Sequence, residues 1–98
     1  MARFDIYKGS HAVSLLLDIQ SDLLDEFGSR VVVPLIPAQG VQSVSRLHPK
    51  FVINDETYIM STHLIFAIPV DRLGAKIGSL AQEDLVITSA VDKLFSGY

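Results

Sequence analysis

The chain has no cysteine among its 98 residues. That excludes a disulfide scaffold, a thiolate nucleophile, zinc held through sulfur and any iron–sulfur cluster. Long apolar runs are missing as well: the longest, Val31 to Ala38, has eight residues and contains Pro34 and Pro37. A membrane-spanning helix needs roughly 20 apolar residues, so no segment is expected to cross a bilayer. The start, Met1-Ala-Arg-Phe-Asp5, turns charged and alternating at once. This gives the expectation of no secretory signal peptide and of a protein of the reducing cytoplasm. Clustered positive charge is absent too. Arg3, Lys8, Arg30, Arg46, Lys50, Arg72, Lys76 and Lys93 stand singly in a chain of net charge −3. A protein that grips nucleic acid by itself concentrates such charge to displace counterions from phosphates. A pI near 5.4 gives no reason to expect a membrane surface as a partner either.

What the chain does have is apolar side chains, 49% of the total at a mean hydropathy of +0.37. Its length predicts a single domain, residues 1–98, near the small end of the usual range. At that size the surface-to-volume ratio leaves few places to hide so many apolar groups. Either the core is dense, or a partner covers part of the surface.

Residues 2–7 alternate, with Ala2, Phe4 and Ile6 against Arg3, Asp5 and Tyr7, which predicts a half-buried strand. Residues 8–11 have turn composition, and Ala12 to Gln20 reads as a longer apolar strand. Ser21 to Gly28 opens on a polar residue and closes on glycine, predicting a short helical turn or compact loop. The valine-rich run Arg30 to Ile36 predicts a central strand whose Pro34 implies a bulge, a strand end or an edge-facing position. Residues 37–49 read as a surface loop. Phe51 to Asn54 and Thr57 to Met60 predict a hairpin with an Asn-Asp turn. Thr62 to Val70 is a further strand, and Gly74 and Gly78 bracket a short connection. Ser79 and Gln82 have the spacing of a capping box, and Glu83 and Asp84 add negative charge to a first helical turn. Leu80, Ile87, Val91 and Leu94, with Ala90, then recur at helical spacing until Gly97. Five or six strands followed by one helix predict a small antiparallel barrel or sheet with a helix appended.

No catalytic constellation stands out. His11, His48 and His63 fall in different predicted elements without ligand spacing, so they read as surface or loop histidines and no metal site is expected. Asp18, Asp22, Asp25 and Glu26 form the densest polar cluster. Paired carboxylates can do acid–base work or hold magnesium, but around a turn they more often supply caps and turn hydrogen bonds. No Gly-x-Ser-x-Gly elbow or glycine-rich phosphate loop is present. No cofactor is expected.

Leu17-Asp-Ile-Gln-Ser-Asp-Leu-Leu-Asp25 followed by Arg30-Val-Val-Val-Pro-Leu35 resembles the CcdB family, the toxin half of a bacterial toxin–antitoxin operon. The likeness continues through Leu47-His-Pro49, Asn54-Asp-Glu56, Ile68-Pro-Val70 and Gly74 to Ala90-Val91 and Phe95-x-Gly97. It implies a mainly β fold: an SH3-like five-stranded barrel of the CcdB/Kid/MazF type, with a small extra sheet and a C-terminal α-helix. It also implies a homodimer that acts without catalysis. Such a toxin binds the DNA gyrase A subunit, traps the cleaved gyrase–DNA complex, and is neutralised by a CcdA-like antitoxin. DNA is contacted only indirectly, through an antitoxin complex that represses its own promoter.

Carried over by position, the resemblance implies a gyrase-binding surface of Leu23, Leu24, Asp92, Phe95, Ser96, Gly97 and Tyr98. Either the two leucines are presented on the turn or one of them plugs the barrel end, and Phe95 either anchors a partner or packs the last helical turn. The family's well-studied gyrase poisons carry tryptophan where this chain has Ser96, and an aliphatic residue where it has Tyr98. The aromatic anchor has therefore moved to Tyr98, or gyrase poisoning has been weakened or lost. An alternative is an endoribonuclease of the Kid/MazF type, for which Arg30 with nearby Ser or Thr residues is the only candidate.

Overall fold

The computed structural model describes residues 2–9, 15–40 and 46–97, and only the backbone of residues 25–27. Within them the strands are β1 (Asp5–Lys8), β2 (Leu15–Asp18), β3 (Ser29–Pro37), β4 (Lys50–Ile53), β5 (Glu56–Met60), β6 (Phe66–Pro69) and β7 (Lys76–Ser79). Short 3-10 segments occupy η1 (Asp22–Phe27), η2 (Thr62–Leu64), η3 (Val70–Arg72) and η4 (Ala81–Glu83), and α1 (Asp84–Ser96) follows. The strands form one seven-stranded half-barrel sheet, ordered β4-β5-β3-β2-β1-β7, with β6 pairing on β3. The mainly β fold with a C-terminal helix agrees with the expectation. The strand count is higher, and the β4–β5 hairpin joins the main sheet through β3 instead of standing apart.

The nine residues of β3 serve two successive neighbours on one side. Ser29 to Val32 pair with β6, and Leu35 to Pro37 pair with β5. Pro34 lies between these two runs. Its carbonyl accepts from the Ser61 N–H at 2.9 Å, and the N and C=O of one strand residue point the same way. The missing N–H therefore falls at the junction where the partner strand changes, which is how a proline fits inside a central strand.

Side-chain alternation gives β1–β3 two distinct faces. Ile6, Leu17 and Val33 are mutually registered on one face, and Tyr7, Leu16 and Pro34 on the other. The first face, with Phe4, Leu15 and Leu35, joins Phe51, Met60 and the helix residues Ile87 and Ala90 in one apolar core. The second carries Asp5, Asp18 and Arg30 among Leu16 and Val32, and every one of these is buried. The half-buried strand expected at 2–7 is thus corrected to β1, an inner strand between β2 and β7 that is covered on both faces. Of the strand expected at 12–20, residues 15–18 form β2, and 12–14 lie outside the described residues.

The hairpin turn is as expected. Asn54 and Asp55 both have positive φ, 51° and 65°, the signature of a type I′ turn whose twist matches its strands. Three expectations change. Thr62 to Val70 is not one strand: η2 and η3 flank a short β6, and the Thr62 hydroxyl turns back to the Leu47 carbonyl. The Gly74–Gly78 connection contains β7, which pairs with β1 despite carrying only Ile77 as a strong apolar signal. The capping box does not form, because Ser79 ends β7 and its Oγ accepts from the Ala81 N–H at 3.1 Å. The helix instead begins at Asp84 after η4, and Gly97 ends it at φ 78° with its N–H on the Lys93 carbonyl at 2.9 Å.

Candidate protein-binding surface

The segment carrying Leu23 and Leu24 is fixed by hydrogen bonds. Ser21 opens η1, its Oγ accepting from the Leu23 N–H at 3.2 Å, and Gly28 closes it in the left-handed region. Gln20 ties η1 to the sheet: its side-chain NH2 donates to the Leu24 carbonyl at 2.8 Å, and its Oε1 accepts from the Val31 N–H at 3.0 Å. Beneath it lies the Asp18–Arg30 pair. Arg30 Nε donates to Asp18 Oδ2 at 2.8 Å, and Nη2 donates to Asp18 Oδ1 at 3.0 Å and to the Gln20 carbonyl at 3.1 Å. Asp22 Oδ1 receives a longer contact from the same Nη2, at 3.4 Å, and the Arg3 N–H at 2.8 Å. The result is a hydrogen-bonded base from which Leu23 projects 89% exposed and Leu24 46% exposed. Neither leucine plugs the barrel end.

The second group sits at the end of α1. Ile87 and Ala90 bury the opposite side of this helix, while Asp92, Phe95, Ser96 and Gly97 face solvent, Phe95 at 71% exposure. Phe95 is therefore not part of the core. Tyr98 lies outside the described residues. The two groups ride on elements with different supports, since η1 packs on β3 while α1 packs on η2 and η4. Leu85 and Val86, also exposed on α1, were not part of the expected surface. Helical spacing from Ile87 was the signal for them, because i−1 and i−2 lie off the buried stripe.

The titratable groups divide by burial. Burial raises the Asp18 carboxyl above its usual range, against the pull of its Arg30 hydrogen bonds. Desolvation lowers Arg30, but the Asp18 and Asp22 carboxylates outweigh it and leave the guanidinium above its ordinary value. Tyr7 is pushed up to about 12 by burial and by Asp5, whose Oδ2 accepts from the hydroxyl at 3.3 Å. Asp5 is also paired with Lys76 at 3.3 Å. Asp18 and Asp22 therefore act as acceptors that hold the fold, in line with the structural use expected of the acidic cluster. The side chains of Asp25 and Glu26 lie outside the described residues.

Arg30, the one ribonuclease candidate, has no exposed surface and its charge is occupied by Asp18. Among the described residues no group of three or more His, Asp or Glu side chains is arranged to hold a metal ion. No helix there is long and apolar enough to cross a membrane. His48 and His63 do come together, with Nε2 and Nδ1 2.8 Å apart, which sequence spacing did not anticipate. His11 lies outside the described residues.

Comparison with known proteins adds a family and a fold. The family model described as "CcdB protein" matches residues 3–97. Among solved structures, one described as "Endoribonuclease in complex with its cognate antitoxin from Mycobacterial species" superposes with a TM-score of 0.78 at 14% identity, covering 97% of this chain and 94% of its own. The "Mycobacterium tuberculosis toxin MazF-mt6" gives a TM-score of 0.76 at 18% identity over 93% and 95% of the two chains. An "Endoribonuclease from Mycobacterial species" gives 0.77 at 16% identity over 97% and 90%. At such identities the likeness is one of fold.

Proposed function

The chain belongs to the CcdB family, and from that premise we propose that it is the toxin of a toxin–antitoxin pair. It acts in the cytoplasm as a homodimer, binding the DNA gyrase A subunit and trapping the gyrase–DNA cleavage complex, and a CcdA-like antitoxin neutralises it. The observation that carries this reading is the exposure of Leu23, Leu24 and Phe95 on well-anchored elements. Apolar groups held in solvent at the ends of rigid supports are the raw material of protein interfaces, where aromatic anchors supply much of the affinity. Asp92, Ser96 and Gly97 surround Phe95 with polar and backbone groups suited to the rim of such a contact. Binding without catalysis fits the buried Arg30, and DNA is reached only through the antitoxin complex.

Two outcomes of one experiment test this. Purified protein is mixed with gyrase, ATP and supercoiled plasmid, and linear DNA is measured after detergent and protease treatment. Linear product at micromolar protein, abolished by Phe95→Ser, is expected; none at any concentration removes gyrase as the target. Ser96 is exposed, so Ser96→Trp fits without displacing the core and is expected to increase trapping at least about tenfold, the worth of one aromatic anchor. A chain that traps gyrase only as Ser96→Trp is a family member that has lost the poisoning activity.

A second reading, an endoribonuclease like those whose fold it shares, is tested alongside by incubation with total RNA. Cleavage that disappears in Arg30→Ala, with a thermal melt showing that the variant is still folded, would favour it. The burial of Arg30 argues for intact RNA.

A further inference from the structure

His48 and His63 are separated by 15 residues, yet the structure holds their ring nitrogens 2.8 Å apart, with ring centroids at 4.8 Å and planes inclined by 64°. Hydrogen bonds on both sides set this register. The Thr62 hydroxyl donates to the Leu47 carbonyl, and the Met60 N–H donates to the Pro49 carbonyl at 2.9 Å. The contacts of residues 47 and 62, and of 49 and 60, therefore staple the chain on both sides of His48 to the segment that leads directly into His63. His63 itself starts no core contact: it is exposed on η2, a turn closed by the Leu64 N–H on the Ser61 carbonyl at 2.9 Å. The two imidazoles are thus held side by side, His63 exposed and His48 partly buried, and this proximity reduces what must be ordered when a ligand arrives.

We propose that His48 Nε2 and His63 Nδ1 form a two-histidine clasp for a divalent transition-metal ion, with copper(II) and nickel(II) preferred over zinc(II). The separation carries the preference. With metal–nitrogen bonds of about 2.0–2.1 Å, nitrogens 2.8 Å apart subtend about 84–89° at the metal. That is the angle between neighbouring ligands of a square-planar or tetragonal ion, the geometry of copper(II) and nickel(II). A tetrahedral zinc site wants nitrogens about 3.3–3.4 Å apart, so the two rings would have to turn away from their observed contact. Copper(II) also leads the general affinity order for nitrogen ligands. Among the described residues no third His, Asp or Glu completes the set, so the clasp itself supplies two ligands.

In the metal-free protein one imidazole donates its N–H across the gap to the other. Binding requires that proton to leave the gap, with His48 protonated on Nδ1 and His63 on Nε2, so that both facing nitrogens offer lone pairs. Burial and the neighbouring His63 keep His48 below the usual histidine value, which favours the neutral ligand form at neutral pH. A bound ion crosslinks the turn at 46–49 to η2 and therefore stabilises the fold in proportion to its occupancy.

The test is titration of the full chain with copper(II), nickel(II) and zinc(II) separately, read by calorimetry and, for copper, by electron paramagnetic resonance. One copper(II) per chain with coupling to two nitrogens, and affinity in the order copper, nickel, zinc, is the expected result. His48→Ala and His63→Ala should each weaken copper binding by at least about tenfold, and His11→Ala should leave it unchanged. Thermal melts of each variant without metal verify folding, and copper should raise the melting temperature of the parent but not of the two clasp variants. Unchanged copper binding in His63→Ala, a single coupled nitrogen, or zinc bound most tightly would each overturn the proposal.

Discussion

The two faces of β1–β3 are buried to the same degree and held by opposite physics. One face is a continuous apolar core that ends on Ile87 and Ala90 of α1. The other carries Asp5, Tyr7, Asp18 and Arg30. Each face supports one half of the proposed binding surface: the apolar face seats α1 and with it Phe95, and the charged face anchors η1 and with it Leu23 and Leu24. Apolar burial is graded, since each methylene lost costs its own share. A buried ion pair is closer to all or none. Desolvation takes back most of what the pair gains, but removing one partner strands the other in a medium that cannot solvate it. Register on one side and packing on the other therefore depend on different residues, and they should fail differently.

The largest difference should come from the charged face. Arg30→Met leaves the Asp18 carboxylate buried without its two guanidinium hydrogen bonds and should cost about 3–5 kcal/mol in urea denaturation. Adding Asp18→Leu to the same chain should restore much of that loss, because no stranded charge remains. Among the described residues Arg30 Nη1 has no hydrogen-bond partner, so the pair starts from an imperfectly satisfied state and its removal as a unit forfeits less than its geometry suggests. A double variant no more stable than the single one would mean that the pair contributes net stability. Restored stability should not restore η1. Gln20 and Asp22 lose their Arg30 contacts in both variants, so partner binding through Leu23 stays impaired.

Next in size is the apolar face. Ile87→Ala opens a cavity at a fully buried position and should cost about 3 kcal/mol, while Ile87→Val should cost about 1. That proportionality to volume is the contrast with Arg30, and an all-or-none loss on Ile87→Val would erase it.

The charged face should also respond to pH where the apolar face cannot. The folded-state pKa of Tyr7 is raised from 10.0 to about 12. The folded protein therefore holds this proton more tightly than the unfolded chain. The associated stability is fully present below pH 10 and is lost as the pH rises toward 12, at most about 2–3 kcal/mol for a shift of this size. Comparing denaturation midpoints at pH 9 and pH 11.5 checks this. Tyr7→Phe should remove most of the slope, and an equal slope in that variant would assign the loss to other groups.

How much of this was legible in the sequence follows from the same division. The apolar face was written partly in periodicity: the Ile87–Ala90–Val91–Leu94 stripe of α1 read correctly, with Ile87 and Ala90 fully buried. The η1 turn was visible in its flanking Ser21 and Gly28, and the Asn54-Asp55 turn in its residue types. The charged face was not legible, because Asp5 reads as a solvent-facing member of a half-buried strand and Arg30 as the charged start of a central one, whereas both side chains are buried. β7 itself was missed because Lys76-Ile-Gly-Ser79 has no pattern of its own and is a strand only by pairing with β1. The His48–His63 contact depends on tertiary staples at residues 47, 49, 60 and 62, none of which local spacing can report. The resemblance pointed to the surface residues, but only the structure decided that Leu23, Leu24 and Phe95 face outward.

The smallest effect on stability should come from the surface that both faces present. Leu23→Ser and Phe95→Ser remove side chains that are 89% and 71% exposed, so each should change unfolding free energy by no more than about 0.5 kcal/mol. Their effect on partner binding should be far larger, at least about tenfold each, because the free energy an exposed apolar group lacks in the monomer is gained when a partner desolvates it. Combining them separates the two supports. If η1 and α1 contribute to one continuous partner contact, the losses in binding should be non-additive, since either variant loosens the seal around the other. If they meet different partners, gyrase through one and the antitoxin through the other, Leu23→Ser should leave intact the complex that Phe95→Ser destroys. Surface plasmon resonance of the two variants and their double against gyrase A subunit and antitoxin peptide distinguishes these outcomes. A binding loss matched by an equal loss of folding stability in either single variant would show that the residue supports the fold and not the interface.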